Sequence, residues 1–154
     1  MDIRIADASD LTELAVLFRQ TVLVNGPQHY TPAQTEAWAA CASDMDHFRQ
    51  LILGATTYIA ERGPLLLGFA GFEGNGHVAS AYVRHDYLGQ GIGSALMSVI
   101  LEQATHQGLK RLYAEASEFS LGLFQKVGFH LYNTEVVERQ GVEFQRYLVE
   151  RYLA

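Results

Sequence analysis

The sequence VRHDYLGQGIGSALMSVI, residues 83–100, places three glycines in five positions directly before an apolar run. The apolar residues have helical spacing and fall on one face, at Ile92, Ala95, Leu96, Val99 and Ile100. The first-turn amides of a helix lack internal partners, and the helix dipole is positive at that end. Gly89, Gly91 and Gly93 would let an anion approach these amides closely, so the segment predicts a diphosphate site at the start of a helix.

Other classes of glycine-rich loop fit this segment less well. A P-loop requires Lys-Ser or Lys-Thr after its last glycine, whereas Gly93 is followed by Ser94-Ala95. A dinucleotide-binding fingerprint is closer, because Glu115 stands about 20 residues beyond the glycines, where a ribose-binding acid is expected. That fold needs two βαβ halves, and only about 60 residues follow the loop. A tight strand-to-helix turn without a ligand is the remaining alternative.

Upstream of the loop, the sequence predicts a strand, then helices, then antiparallel strands. Ile3 and Ile5 alternate with polar residues as a first strand, and Ser9 is a candidate cap for a helix with one apolar face. Residues 31–34, Thr-Pro-Ala-Gln, have the spacing of a capping box with proline at the first helical position. Glycine-bounded runs of β-branched and aromatic residues predict three hairpin-connected strands, at 57–60, 65–72 and 77–83.

Downstream of the loop, the pattern alternates between helix and strand. The helix after the glycines is predicted to run to about Gln107 and to close at Gly108. The remaining elements are predicted as a strand at 111–116, a short helix through Phe124, and strands at 129–137 and 142–149.

The composition indicates one compact domain that does not bind nucleic acid. The 154 residues are 49% hydrophobic, which suffices for a single core over 1–154, and the formal charge of -6 disfavours a phosphate backbone. No apolar stretch reaches the roughly 20 residues that cross a bilayer, and no signal peptide is evident. We therefore expect a cytoplasmic protein without a membrane partner. Cys41 is the only cysteine and the histidines lack a shared spacing, so we expect neither a disulfide nor a metal.

Two segments resemble the signatures of the GNAT superfamily of N-acetyltransferases. YVRHDYLGQGIGSAL is similar to the acetyl-coenzyme A motif of that family, and SLGLFQKVGF is similar to its second signature. QHYTPAQTEAWA and VERQGVEFQRYLV further resemble the YafP-type bacterial branch. The resemblance implies an α/β (α+β) fold, with a mixed, mostly antiparallel twisted sheet of six to seven strands flanked by helices. A splayed parallel pair of strands would form the cofactor slot.

The same resemblance implies which residues bind acetyl-coenzyme A. Backbone groups of Tyr82 and Val83 would pair with the pantetheine arm like an added strand. The pyrophosphate would lie among residues of the glycine loop, namely Leu88, Gly89, Gln90, Gly91, Ile92, Gly93 and Ser94. The far side of the slot would be lined by Ser117, Leu121 and Phe124.

The sequence departs from the family pattern at two of these positions. Leu88 stands where the family prefers Arg or Gln, which should weaken phosphate binding without abolishing it. Phe124 stands where many relatives have a tyrosine that protonates the departing thiolate. Substitute proton donors are Tyr82, Tyr113 and Tyr132; otherwise coenzyme A leaves as a thiolate, whose pKa of about 8.5 makes this tolerable.

Removing a proton from the acceptor ammonium is the second chemical requirement, because an alkyl ammonium has a pKa of about 10.4. Glu115 is the first candidate base, since an acid at an apolar strand end should have a raised pKa. His77 is the second candidate because its intrinsic basicity is suitable. His29, Tyr30 and Trp38 are predicted to line the acceptor pocket, although capping and core packing explain them as well.

The sequence therefore predicts an N-acetyltransferase that moves an acetyl group from acetyl-coenzyme A to a primary amine, by direct attack and through a tetrahedral intermediate. Backbone amides of the strand near Val83 would stabilise the oxyanion. The acceptor would be a small-molecule or peptide amine, and edge-strand pairing would allow a homodimer. The alternative is a non-catalytic module that binds or senses acyl-coenzyme A, which the changes at 88 and 124 favour.

Overall fold

The structure, a computed structural model, describes residues 1–154 and contains seven strands and five helices. They are β1 (Asp2–Ile5), α1 (Leu11–Asn25), α2 (Pro32–Ala39), α3 (Met45–Leu53), β2 (Thr56–Arg62), β3 (Leu65–Phe72), β4 (Val78–Val83), α4 (Ile92–His106), β5 (Arg111–Ala116), α5 (Leu121–Lys126), β6 (His130–Arg139) and β7 (Val142–Tyr152). The order of elements agrees with the prediction. None of the helices has both the length and the apolar character needed to span a bilayer.

The starts of two helices test the capping predictions. The capping box at α2 is present: Thr31 Oγ1 accepts from the Gln34 amide at 3.1 Å, and Gln34 Oε1 accepts from the Thr31 amide at 3.0 Å. The prediction that Ser9 caps α1 is wrong. Asp7 caps a short 3-10 turn over Ala8–Asp10 that precedes α1, and its carboxylate accepts from the Ser9 amide at 2.8 Å. This aspartate, two residues before Ser9, forms a reciprocal pair with Asp10, so the cap belongs to the turn and α1 itself begins without a side-chain cap.

The strands form two antiparallel ladders, in the order β1-β2-β3-β4 and β5-β7-β6. The ladders meet only at the start of β4, through a parallel bridge between His77 and Tyr113, where the Tyr113 amide donates to the Gly76 carbonyl at 3.0 Å. Gly76 has a φ of +95°, and a Cβ there would lie 2.2 Å from the Arg111 carbonyl oxygen. A glycine is therefore required for the two strands to approach at this vertex.

Beyond this vertex, β4 and β5 diverge and leave a slot that opens toward their carboxyl ends. Helices α4 and α5 cover one face of the sheet, where Leu96, Met97 and Ile100 are buried in one core with residues of β2 to β5. Helices α1 and α3 cover the other face, where Phe18 and Phe48 are buried. Packing on both faces holds the two ladders in place while the slot between them stays open, as the splayed parallel pair was predicted to do.

Candidate functional site

A cleft of about 530 Å³ occupies the slot between β4 and β5. Its walls come from the glycine loop, from both strands and from α5, and it continues between the sheet and helices α1 to α3. Such a crevice at the carboxyl ends of two parallel strands is where α/β sheets bind ligands.

The three glycines of the loop have two different structural roles. Gly89 and Gly91 have φ values of +74° and +81°, and a Cβ at either position would have no atom within 4 Å. At Gly93 a Cβ would lie 2.9 Å from Leu123 Cδ2, so this glycine allows α4 to pack against α5. The structure therefore gives Gly93 a packing role, whereas the space beside Gly89 and Gly91 is open, as the expected approach of an anion requires.

The amino terminus of α4 presents unpaired amides to the cleft. Gly91 is the N-cap of the helix, and the Ala95 amide donates to its carbonyl at 3.0 Å. The three amides before Ala95 consequently have no intrahelical partner, and they belong to Ile92, Gly93 and Ser94, which all line the cleft. The site has the donors that a diphosphate needs.

Successive residues of β4 direct their backbone N–H and C=O groups alternately toward β3 and toward the slot. The Arg84 amide donates to the Leu67 carbonyl at 2.7 Å, which fixes the register and directs the backbone of Tyr82 toward β3. Ala81 and Val83 therefore direct their backbone groups into the slot. The pairing that the family resemblance implied for Tyr82 is not available to it, and Ala81 is the neighbouring residue whose backbone faces the slot.

Most of the predicted site residues line the one cleft. They are Tyr30, Trp38, Tyr82, Val83, Leu88, Gly89, Gly91, Ile92, Gly93, Ser94, Glu115, Ser117 and Phe124. Four others do not line it, namely His29, His77, Gln90 and Leu121. The ring of His29 packs edge-on against Phe119, with centroids 4.8 Å apart.

Glu115 and His77, which were predicted separately, are in direct contact. His77 Nε2 lies 2.9 Å from Glu115 Oε1, and His77 Nδ1 lies 2.7 Å from Glu73 Oε1. Glu115 faces the cleft, whereas His77 lies behind it and Glu73 is 40% exposed at the surface. We call these three residues the carboxylate-imidazole chain.

Glu73 was not predicted, although the sequence carried a signal for it. The turn over Gly74-Asn75-Gly76 places residues 73 and 77 opposite each other, and the Glu73 amide donates to the His77 carbonyl at 2.8 Å. Cross-strand neighbours of opposite charge across a short turn are the expected outcome of such a hairpin.

The charges of the three residues in the carboxylate-imidazole chain depend on one another. The pKa of His77 is raised to about 9, because the hydrogen bond to Glu115 and the weaker effect of the hydrogen bond to Glu73 together outweigh burial, which lowers it. Burial raises the pKa of Glu115, but the hydrogen bond and the charge of His77 outweigh burial and lower this pKa overall. The predicted rise in the pKa of Glu115 is therefore wrong, because its partner was not foreseen. At neutral pH, a glutamate carboxylate and an imidazolium face each other.

Replacing His77 by Gln is expected to change how stability depends on pH. The folded-state pKa of about 9 exceeds the reference value of 6.5, so the imidazolium stabilises the fold fully below pH 6.5 and loses this contribution as the pH rises through 9. The stability difference between wild type and His77→Gln should shrink by about 3 kcal/mol over this window, as measured by urea unfolding. A constant difference from pH 6 to 9.5 would contradict the raised pKa.

The part of the cleft under α1 to α3 is lined by aromatic rings. Trp38 Nε1 donates to the Tyr82 hydroxyl at 3.2 Å, and the rings of Tyr30 and Trp38 pack edge-to-face with centroids 5.4 Å apart. Burial raises the pKa of Tyr82, so its hydroxyl stays protonated and is free to donate elsewhere. The sequence did not predict Phe119 and Phe144, which complete this aromatic wall.

Comparison with known proteins shows the family of this chain. Residues 27–151 match the acetyltransferase (GNAT) domain family. The uncharacterized N-acetyltransferase YafP of Escherichia coli (strain K12) is 23% identical over 147 residues, which cover 96% of this chain and 93% of YafP.

Solved structures give the same result. A GCN5-related N-acetyltransferase from Rhodopseudomonas palustris superposes with a TM-score of 0.94 at 26% identity, covering 99% of this chain and 95% of that one. PaiA N-acetyltransferase from Thermoplasma acidophilum, in complex with coenzyme A, shares the fold with a TM-score of 0.79 at 16% identity, covering 99% and 100% of the two chains. The predicted fold class and resemblance are confirmed, and the chain is an acyltransferase that belongs to the acetyltransferase (GNAT) domain family.

Proposed function

We propose that this chain acetylates a primary amine by direct attack on acetyl-coenzyme A, with Glu115 as the group that receives the amine and its proton. One observation carries the proposal: the open amides at the start of α4 and the carboxylate of Glu115 lie on the walls of the same slot. The first feature suits a diphosphate and the second suits a cation, so the slot can hold both reactants at once.

The residues of the slot fit acetyl-coenzyme A. The amides of Ile92, Gly93 and Ser94 would bind the pyrophosphate, and no side chain at Gly89 or Gly91 obstructs them. The slot-facing backbone groups of Ala81 and Val83 would pair with the amides of the pantetheine arm. This placement directs the thioester along β4 and toward Glu115.

The carboxylate-imidazole chain can accept the proton of the acceptor. With two carboxylates and one imidazolium, its net charge attracts an ammonium ion. Direct transfer to Glu115 alone is unfavourable because its pKa is lowered, but His77, with a pKa of about 9, is close to the ammonium value of about 10.4. Glu115 therefore orients the amine in the cleft, and the proton passes through it to Nε2 of His77 in the molecules whose imidazole is neutral, a fraction that grows as the pH rises toward 9.

The attack forms a bond between the amine nitrogen and the thioester carbonyl carbon, and the carbon–sulfur bond then breaks. β4 carries an extra residue, Ala79, between the pairs Phe72–Val78 and Gly71–Ser80. This bulge leaves backbone groups of β4 free to stabilise the oxyanion, as a β-bulge beside a cleft commonly does. Phe124 has no proton to donate, so the sulfur leaves as a thiolate unless the Tyr82 hydroxyl reaches it.

The test is a screen for thiol release from acetyl-coenzyme A with diverse primary amines. Catalysis requires release with at least one amine, together with the acetylated product by mass spectrometry. A non-catalytic acyl-coenzyme A-binding module, which Leu88 and Phe124 favour, would show stabilisation without release. Ligand stabilisation alone, about 2.7 kcal/mol at a hundredfold excess over Kd, is common to both and does not separate them.

Replacing Leu88 by Arg should tighten coenzyme A binding. Leu88 is 52% exposed and lines the cleft beside the glycine loop, so a guanidinium there would reach the phosphates without displacing core residues. An exposed ion pair adds up to about 1 kcal/mol, which is roughly a fivefold decrease in Kd by titration calorimetry. Leu88→Met is the neutral control, and the gain should disappear in high salt. Equal Kd values for the Arg and Met variants would contradict this placement of the phosphates.

A further inference from the structure

Two residues that line the cleft carry buried hydroxyl groups without a hydrogen-bond partner in the protein. Thr21 is 7% exposed and Ser80 is 5% exposed, and both Thr21 Oγ1 and Ser80 Oγ are buried and unpaired. Both residues line the cleft on the side of α1. A hydroxyl that is buried without a partner is unfavourable, so a pair of them in one cavity points to a bound group.

We propose that the acetyl acceptor carries an uncharged hydrogen-bonding group, such as a hydroxyl or an amide, that binds to Thr21 and Ser80. This inference rests on the proposed function, because it names the class of amine that the same cleft accepts. We call the two hydroxyls the polar subsite.

The helix and the strand bring the two hydroxyls onto facing surfaces. Thr21 lies three residues after Phe18 on the inner face of α1, and Ser80 lies two residues before Tyr82 on one face of β4. The rings of Phe18 and Tyr82 are in contact, with centroids 4.7 Å apart. Residues 78 and 80 would normally lie on the same face of a strand, but the bulge at Ala79 places them on opposite faces. Ser80 points toward α1, whereas Val78 belongs to the core under α4.

The surroundings of the polar subsite select against a charged group. β4 contains no charged residue, and the buried residues of α1 are apolar or neutral, whereas the arginines that line the cleft, Arg139 and Arg146, lie on β6 and β7. An ionised group on the acceptor would therefore lose water without gaining a counter-charge. Hydroxyl groups both donate and accept, so an alcohol or an amide satisfies them.

The rest of the cleft sets the shape of the acceptor. Its amine must reach Glu115, and Trp38, Leu51 and Val22 supply apolar surface on the α1 to α3 side of the same cleft. The acceptor is thus an amine joined through an apolar segment to a neutral polar end.

Matched amines that differ by one hydroxyl in place of a methyl group test the proposal. The pairs are 5-amino-1-pentanol with hexylamine, and L-homoserine with L-norvaline. For wild type, we expect kcat/KM to favour the hydroxyl member of a pair by at least about tenfold, the factor that corresponds to one hydrogen bond. In Thr21→Val and Ser80→Ala, this ratio should fall by about tenfold.

Thr35→Val is a matched control. Thr35 is 5% exposed and its hydroxyl is also buried and unpaired, but it does not line the cleft and a Cβ at Gly26 would contact its methyl group. This variant should keep the wild-type ratio. Equal kcat/KM values within both pairs for wild type, or ratios that Thr21→Val and Ser80→Ala leave unchanged, would overturn the inference.

Thermal unfolding supplies a readout that does not need turnover. Because the two hydroxyls have no partner in the protein, Thr21→Val and Ser80→Ala should unfold no more than about 2 °C below wild type. A larger decrease for both would show that the hydroxyls are satisfied within the fold, and would overturn the polar subsite even if amines are acetylated. Absence of thiol release with every amine, by contrast, contradicts the proposed function itself.

Discussion

A Gly91→Glu variant is expected to lose acetyl-coenzyme A binding by at least a hundredfold while remaining folded. A Cβ at Gly91 meets no atom within 4 Å, so the added side chain extends into the cleft rather than into the core. A carboxylate about 4 Å from a phosphate charge costs about 4 kcal/mol at an effective dielectric constant of 20. The Kd from titration calorimetry and the rate of thiol release are the measurements.

Gly108→Glu is the control for this variant. Gly108 lies just beyond the other end of α4, has a φ of +78° and also has no atom within 4 Å of a Cβ. Both variants carry the same backbone strain of about 1 kcal/mol and the same added charge, and only their positions differ. If Gly108→Glu weakens binding as much as Gly91→Glu does, the diphosphate does not bind at the start of α4.

Replacing Glu115 by Gln is expected to lower kcat/KM about a hundredfold or more, the usual effect of removing a general base. The affinity for acetyl-coenzyme A should stay close to that of wild type, because Glu115 lies away from the glycine loop on β5. In wild type, kcat/KM should rise with pH up to about 9, where His77 loses its proton. In Glu115→Gln, kcat/KM should instead rise with the deprotonation of the acceptor amine, whose pKa is about 10.4.

Glu73→Gln is the matched control, since it also removes one carboxylate from His77. Glu73 is 40% exposed and lies on the far side of the imidazole from the cleft, so its loss should change kcat/KM less than the loss of Glu115 does. A Glu115→Gln rate equal to that of wild type from pH 6 to 9 would exclude Glu115 as the group that receives the proton.

Elements with strong local signals were predictable from the sequence. The capping box at Thr31 and the glycine loop before α4 depend on contacts within a few residues, and the structure places both where the pattern indicated. The bounds of β5, Arg111–Ala116, also agree. Strand ends were less accurate: β7 continues to Tyr152 because it pairs with β5 and β6 on both edges, which its own sequence does not reveal.

Contacts between distant segments were not predictable. Glu115 and His77 are 38 residues apart in the chain, and only the parallel bridge at the vertex brings them together. Without that contact, burial alone predicts a raised pKa for Glu115, which is opposite in direction to the lowered pKa that His77 causes. The two hydroxyls of the polar subsite were not predictable for the same reason. A threonine on a helix or a serine on a strand carries no signal of its own, and only the packing of α1 on β4 shows that both hydroxyls are buried and unpaired.

The single vertex between the two ladders gives β4 the role of a spacer of defined length. Its six residues rise about 3.3 Å each, so β4 ends roughly 20 Å from the point where the strands touch, and the glycine loop follows after one short turn. An insertion of two residues into β4 would keep every side chain on its original face but would carry the loop about 7 Å farther along the strand. The pantetheine arm has a constant length, so the acyl group that it carries would then not reach Glu115. Such a variant would bind acetyl-coenzyme A without turning it over, and the length of the strand alone would cause the difference.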